Sequence, residues 1–225
     1  MEFKILEKVL EANENLASEI RVLLRKRKVG MVNLISSPGS GKTTILEKTI
    51  PILKERYRIG IIEGDVETDR DAQRLKRFDL PMVLINTLGA CHLDSESILK
   101  ALEELPLQEL DIVFVENVGN LVCPAEFDIG EKAKVAVIST PEGDDKPQKY
   151  PLLFREAEVV LLNKIDLLGS LNFDRNHFYR DLHNLNSHMR VIEMSAYKEE
   201  GLEEWIEWLE TKVFLKEELK LYKAH

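Results

Sequence analysis

The sequence is poor in cysteine, with Cys91 and Cys123 as its two thiols among 225 residues. Two thiols are too few for the disulfide framework that stabilises small secreted domains. No apolar run approaches the roughly 20 residues that span a bilayer. The first residues also lack the basic segment and apolar stretch of a secretory signal. We therefore expect a cytoplasmic protein that is not inserted into a membrane.

An excess of positive charge is also missing, because 31 Lys and Arg residues face 40 Asp and Glu residues, for a formal net charge of −9. An acidic chain exerts no long-range attraction on phosphate backbones, so nucleic acid is not an expected partner. The short basic run at 25–28 is interpreted as a helix end, where cations face the last carbonyl groups. The length and the 44% hydrophobic content suit one α/β domain.

Short apolar segments alternate with amphipathic ones along most of the chain. This alternation predicts an α/β fold with a mostly parallel sheet and helices on both faces. The predicted strands are 32–35, 58–62, 82–85, 111–116, 135–139, 159–162 and 190–194. The predicted helices are 4–27, 43–57, 69–78, 95–104, 149–157, a segment within 174–185, and 202–213. We expect an N-terminal helical extension, 1–28, and one domain, 29–225.

A phosphate-binding loop is predicted at 36–43, which reads SSPGSGKT between a strand and a helix. It matches G-x-x-x-x-G-K-[ST] except that Ser36 replaces the first glycine. The glycines allow backbone amides to point at phosphate, Lys42 neutralises the β- and γ-phosphates, and the Thr43 hydroxyl binds Mg²⁺. The residues predicted to contact the nucleotide here are Gly39, Ser40, Gly41, Lys42, Thr43 and Thr44.

A base-reading motif is predicted at 163–166, which reads NKID at the end of a strand. The Asp166 carboxylate can accept hydrogen bonds from N1–H and the 2-amino group of guanine, and adenine lacks both donors. The stem of Lys164 can lie over the ring, and Asn163 can brace the loop. Ser195 and Ala196 resemble the loop that offers a backbone N–H to guanine O6. The pattern predicts GTP and GDP as ligands.

Acidic residues end the second and fourth predicted strands, where a Mg²⁺ bound beside the phosphate loop would lie. Asp65 and Glu116 are expected to hold this ion or to orient the attacking water, with Asp69 and Asp71 as alternatives to Asp65. Gly119 can offer its N–H to the γ-phosphate. The predicted catalytic residues are Lys42, Asp65 and Glu116. Since no glutamine follows the fourth strand and no arginine finger is evident, we expect slow GTP hydrolysis without a partner.

Two cysteines and a histidine follow the third and fourth predicted strands, in loops. Cys91, His92 and Cys123 carry the ligand types that Ni²⁺ and Zn²⁺ favour, with water or a second subunit as the fourth ligand. Cys123 lies seven residues after Glu116, on the segment expected to move when the γ-phosphate leaves. Metal affinity and GTP hydrolysis can therefore be coupled. The alternative is two small buried thiols and an unrelated histidine.

The segments SSPGSGKT, EGDVETDRDAQR, CHLD, ENVGNLVCP, EGDDKP and NKID closely resemble the HypB family. These SIMIBI-type P-loop GTPases help to insert nickel into [NiFe]-hydrogenase. The resemblance extends from about Met31 to Ser195. It implies a nickel metallochaperone that forms a homodimer when GTP-bound, with Cys91, His92 and Cys123 near the dimer interface. It also implies a HypA-type metallochaperone and the hydrogenase large subunit as partners, and Lys146 approaching guanine from the neighbouring chain.

Three alternatives remain open at this point. A related metallochaperone GTPase for urease or a cobalamin enzyme is disfavoured, because the urease protein carries Cys-Pro-His whereas Cys123-Pro124 precedes Ala125 here. A regulatory GTP-binding switch without metal delivery predicts that the cysteines and His92 are dispensable. A nucleotide or small-molecule kinase offers no reason for the NKID motif.

Overall fold

The computed structural model describes residues 2–65, 70–87 and 89–213, with side chains described for 9–64, 72–87 and 89–213. The strands are β1 Gly30–Ser36, β2 Ile59–Asp65, β3 Met82–Asn86, β4 Ile112–Gly119, β5 Ala133–Ser139, β6 Val159–Asn163 and β7 Arg190–Glu193. The helices are α1 Glu2–Arg27, α2 Lys42–Leu53, α3 Arg70–Lys76, α4 Ser95–Glu104, α5 Cys123–Glu126, α6 Lys146–Lys149, α7 Pro151–Glu156, α8 Arg175–Leu185 and α9 Leu202–Lys212. Short 3-10 segments cover Leu107–Glu109, Thr140–Glu142 and Ile165–Ser170.

The seven strands form one sheet in the order β3-β2-β4-β1-β5-β6-β7, and every neighbouring pair is parallel. All carboxyl ends therefore meet at one edge. Because β1 lies between β4 and β5, the crevice where ligands bind in such sheets opens directly after β1. This architecture confirms the predicted α/β fold.

Both faces of the sheet are covered, which explains why the central strands are continuous apolar runs. On one face, α2 and α9 bury Ile45, Leu46 and Trp205 against β1 and its neighbours. The indole N–H of Trp205 donates to Thr49 Oγ1 at 3.0 Å, so its polar atom is satisfied inside the core. On the other face, α1 and α4 cover β1, β2 and β4, while α7 and α8 cover β5 and β6.

The long N-terminal helix α1 packs against the domain through its apolar face. Ile20 and Leu24 are buried there. The side chain of Asn13 accepts a hydrogen bond from the Ser95 backbone N–H at 2.9 Å and donates to the Asp128 carbonyl at 2.6 Å. These contacts join α1 to the start of α4. The division between an extension at 1–28 and a domain at 29–225 stays a prediction.

Helix α4 illustrates how local signals set an element boundary. Its N-cap, Asp94, accepts a hydrogen bond from the Ser97 N–H at 2.8 Å, and the Ser97 hydroxyl completes a capping box. Pro106 follows the end of the helix.

Among the described residues, no helix combines the length and apolarity that crossing a bilayer requires.

Several predicted boundaries were wrong. The helix predicted at 43–57 ends at Leu53. In place of the helix predicted at 149–157 there are two short helices, α6 and α7, which are separated at Tyr150. Each of them has a proline in its first turn. Strands β2 and β4 continue three residues beyond their predicted ends, because the parallel ladders extend through polar residues, as in the pairs Asp65 with Asn86 and Gly119 with Ser36. Cys123 was expected in a loop but begins α5.

Candidate functional site

The phosphate loop, residues 36–43, joins β1 to α2 at the carboxyl edge of the sheet. Gly39 and Gly41 have φ of 75° and 105°, a backbone region that other residues rarely adopt. A Cβ on Gly41 would lie 2.5 Å from Asn163 Nδ2. The Lys42 ammonium donates a hydrogen bond to Ser36 Oγ at 2.9 Å. The hydroxyl that replaces the first glycine of the motif therefore holds the lysine within the loop.

A buried carboxylate faces the threonine of this loop. The Thr43 hydroxyl donates to Glu116 Oε1 at 2.7 Å, and Glu63 is the register partner of Glu116 on the neighbouring strand. Both glutamates are 3% exposed. Hydroxyl and carboxylate oxygens are the ligands that Mg²⁺ prefers, so these residues fit such an ion. The backbone of Asp65 ends β2, but its side chain lies outside the described ones, as do that of Asp71 and the whole of Asp69.

A cleft of about 460 Å³ opens beside the phosphate loop. Gly119 lines this cleft and packs closely on Pro38, since a Cβ on Gly119 would lie 2.8–3.1 Å from atoms of Pro38. Arg74 also lines the cleft, and its guanidinium donates to Thr44 Oγ1 at 3.0 Å while it pairs with Glu47. Sequence analysis did not identify Arg74, because its position depends on how α3 packs against α2.

The NKID segment contacts the phosphate loop directly. Asn163 Nδ2 donates to the Ser40 carbonyl at 2.9 Å, and Lys164 Nζ donates to the Gly39 carbonyl at 2.7 Å. Asn163 Oδ1 accepts from the Ala196 N–H at 3.0 Å, so this N–H is directed at Asn163 in the structure. The Asp166 carboxylate accepts from the Ser195 hydroxyl at 2.6 Å. All the predicted base-reading residues thus lie in one network beside the loop.

Glu142 is a residue of this network that the sequence analysis missed. Its Oε1 accepts hydrogen bonds from Ser40 Oγ at 2.6 Å and from the N–H and hydroxyl of Ser139 at 2.8 and 2.6 Å. Burial raises the pKa of Glu142, but these hydrogen bonds outweigh it and leave the pKa below its usual value. The spacing S-x-x-E at 139–142, a capping box, was the available signal. Lys146 Nζ lies 3.9 Å from Glu142 Oε2 of the same chain.

The two cysteines and the histidine come together at the same edge of the sheet, and we call Cys91, His92 and Cys123 the cysteine–histidine cluster. The two sulfur atoms are 3.1 Å apart, and Cys91 Sγ lies 3.5 Å from His92 Nδ1. One ligand atom from each residue lies within 4.8 Å of the others. The His92 ring packs on Phe127, with 3.9 Å between ring centroids. One chain therefore supplies three soft or borderline ligands at metal-binding spacing.

The protonation of this cluster is set by its surroundings. Burial lowers the pKa of His92, which favours the neutral imidazole that binds metal. The hydrogen bond shared with Cys91, together with burial, raises the pKa of the Cys123 thiol. A cation that binds here must therefore displace a proton from sulfur.

The parallel sheet, the phosphate loop after β1 and the carboxylate facing Thr43 define a P-loop NTPase. The family model for the CobW/HypB/UreG nucleotide-binding domain matches residues 31–193. Hydrogenase maturation factor HypB of Escherichia coli (strain K12) is 48% identical over 203 residues, which are 90% of this chain and 70% of that protein.

Two solved structures extend the comparison. HypB from Helicobacter pylori in complex with nickel is 34% identical with a TM-score of 0.86, covering 92% of this chain and 96% of that one. HypB from Archaeoglobus fulgidus is 36% identical with a TM-score of 0.84, covering 90% and 98%. The chain therefore belongs to the CobW/HypB/UreG family, and these relatives are HypB proteins. This confirms the family predicted from the motifs.

Proposed function

We propose that the protein is a GTP-hydrolysing metallochaperone that supports nickel insertion into [NiFe]-hydrogenase. The observation that carries this proposal is the cysteine–histidine cluster, which lies at the edge of the sheet that also holds the phosphate loop. The chain from β4 to α5 connects the cluster to the phosphate loop, since Glu116 of β4 contacts Thr43 and Cys123 at the start of α5 belongs to the cluster. The names of the HypB relatives, and the nickel in the Helicobacter pylori structure, support the same function.

In this proposal, the loop amides and Lys42 hold the phosphates of GTP, and Thr43 and Glu116 hold Mg²⁺. The ion neutralises charge on the β- and γ-phosphates. Asp65 is proposed to hold the same ion or to orient the attacking water, and Gly119 offers its N–H to the γ-phosphate. Turnover is slow without a partner or a second subunit.

The choice of guanine is assigned to Asp166, which accepts from N1–H and the 2-amino group in place of the Ser195 hydroxyl that it contacts in the structure. Lys164 covers the ring. A base without these two donors leaves the carboxylate unpaired, which is costly where water is excluded.

Ni²⁺ or Zn²⁺ is the cargo rather than a resident cofactor, and Cys91, His92 and Cys123 are its proposed ligands. Three ligands leave a fourth position for water or for a group from a second subunit. We propose that the GTP-bound protein is a homodimer and that a HypA-type metallochaperone and the hydrogenase large subunit are its partners.

Metal binding is tested by equilibrium dialysis with Ni²⁺ and with Zn²⁺. We expect Cys91→Ser and Cys123→Ser to lose the bound metal, because each removes a thiolate ligand. His92→Ala is expected to bind at least about tenfold more weakly, whereas His188→Ala, a substitution on the connection before β7, serves as the matched control. Equal stoichiometry in the wild type and both cysteine variants contradicts the site and favours a GTP-binding switch without metal.

A further inference from the structure

One asparagine bridges the two halves of the cysteine–histidine cluster. Asn120 Nδ2 donates to the Cys91 carbonyl at 3.1 Å, and the same carboxamide reaches the residue before Cys123. Asn120 Oδ1 accepts from the Val122 N–H at 2.9 Å, which fixes the turn leading into α5. The Cys91 backbone and the turn before Cys123 are therefore held by a single carboxamide.

Asn120 directly follows Gly119, the residue that borders the nucleotide cleft against Pro38. Any shift of Gly119 toward or away from a γ-phosphate moves the next residue on the chain. Because the Asn120 carboxamide bonds the Cys91 carbonyl and the Val122 N–H, such a shift changes the position of the Cys123 sulfur relative to Cys91.

The histidine side of the cluster is anchored differently. Leu93, the residue after His92, donates its N–H to Asn117 Oδ1 at 3.3 Å. Its side chain packs directly on Gly64, where a Cβ would lie only 2.8 Å from Leu93 Cδ1. Asn117 is 1% exposed and donates in turn to Asn33 Oδ1 at 3.0 Å, in the centre of the sheet. His92 is thus tied to the rigid sheet.

We infer that Asn120 is a positioning residue that transmits the nucleotide state from Gly119 to the cysteine–histidine cluster. The inference rests on the proposed function, since it needs both a bound nucleotide and a bound metal. With the segment from Cys91 to Leu93 anchored through Asn117 and the turn before Cys123 carried by Asn120, loss of the γ-phosphate moves the Cys123 sulfur relative to the imidazole. A change in ligand geometry of this kind lowers or raises metal affinity without removing any ligand.

The experiment measures the Kd for Ni²⁺, by titration followed through the ultraviolet thiolate-to-metal absorption, with GDP and with a non-hydrolysable GTP analogue. In the wild type, we expect the two Kd values to differ at least about fivefold, the lower bound of a typical coupling between sites. In Asn120→Ala and the milder Asn120→Ser, we expect this difference to shrink to less than about twofold. Nucleotide affinity should stay close to that of the wild type, which shows that the variants fold.

The matched control is Asn186→Ala. Asn186 accepts from the backbone N–H of His188 at 3.2 Å, two residues on, as Asn120 does from Val122, but it lies between α8 and β7. This control should keep the wild-type difference between the two Kd values.

Two results overturn the inference, and they are distinguishable. If both Asn120 variants keep the wild-type difference between the two Kd values, Asn120 does not transmit the nucleotide state, and the proposed function is unaffected. Equal Kd values with GDP and the analogue in the wild type contradict the proposed coupling itself, and the inference fails with it.

Discussion

Single side chains decide how the phosphate loop is built in this protein. The hydroxyl of Ser36 takes the place of the first glycine of the motif and accepts a hydrogen bond from Lys42 at 2.9 Å. Lys42 is only 8% exposed, so its ammonium is held within the loop at the cleft. A preorganised cation of this kind needs little rearrangement to stabilise charge on the γ-phosphate.

Replacing this lysine tests the loop. We expect Lys42→Ala to lower kcat for GTP hydrolysis by about 10²–10³-fold or more, because a preorganised charge in the cleft is lost. Phosphate release measured at saturating GTP is the readout. Lys48→Ala is the control, since Lys48 lies on the same helix but pairs with Glu199 at 2.6 Å on the surface. Wild-type turnover in Lys42→Ala would count against the phosphate-loop assignment.

Base selection is also a property of one side chain. We expect Asp166→Asn to lower the preference for GTP over ATP by at least about tenfold, since the amide cannot accept both guanine hydrogen bonds as the carboxylate does. Competition binding with a fluorescent GDP measures the ratio. Asp174→Asn, at the N-cap of α8, keeps its cap and should keep the ratio. An unchanged ratio in Asp166→Asn would remove the base-reading role.

At the scale of elements, the turn between β1 and α2 and the start of the NKID segment are packed so closely that a glycine is required between them. Gly41 has a φ of 105°, and a Cβ on it would lie 2.5 Å from Asn163 Nδ2. The same asparagine holds the Ser40 carbonyl and the Ala196 N–H. Asn163 therefore links the phosphate loop to the loop after β7.

We expect Gly41→Ala to weaken GDP binding at least about tenfold, because the strained φ and the contact with Asn163 open the loop. Isothermal titration calorimetry measures the affinity. Gly169→Ala is the matched control, because a Cβ on Gly169 would point into open space and its φ is not positive. If Gly41→Ala binds GDP as the wild type does, the close packing of the two loops does not limit the nucleotide site.

At the scale of the whole molecule, the position of the cysteine–histidine cluster bears on how two copies of the protein associate. One chain supplies three ligands, and Cys91 is exposed, so a fourth ligand can arrive from outside the chain. The cluster and the nucleotide cleft share the carboxyl edge of the sheet, which makes this edge the proposed contact surface between two copies.

We expect the protein with a GTP analogue and Mg²⁺ to have twice the 25.9 kDa chain mass, and the protein with GDP to have a lower average mass. Light scattering after size-exclusion chromatography measures this. Cys91→Ser distinguishes dimerisation caused by the nucleotide from dimerisation caused by a shared metal ion, because dimerisation that depends on nucleotide alone persists in this variant. A single-chain mass with both nucleotides, with and without Ni²⁺, would contradict the proposed homodimer.

Sequence reasoning predicted the class of fold, the family and the order of the strands along the chain, because these depend on local periodicity and on motifs within a few residues. It placed strand ends too early at β2 and β4 and missed the break between α6 and α7. Apolar runs stop where the chain becomes polar, whereas a parallel ladder continues as long as the neighbouring strand does, as at Asp65 and Asn86 of β2 and β3.

The identities of the phosphate-loop, NKID and cysteine–histidine residues were therefore contained in the sequence by itself. Only the tertiary structure decided their partners: Glu142 on Ser40, 102 residues apart, Asn120 on Cys91 and Arg74 on Thr44. The physical reason is the register of the sheet. Parallel pairing brings the ends of β1, β2, β4 and β6 to one edge, so residues distant along the chain meet there, and no local pattern records those distances.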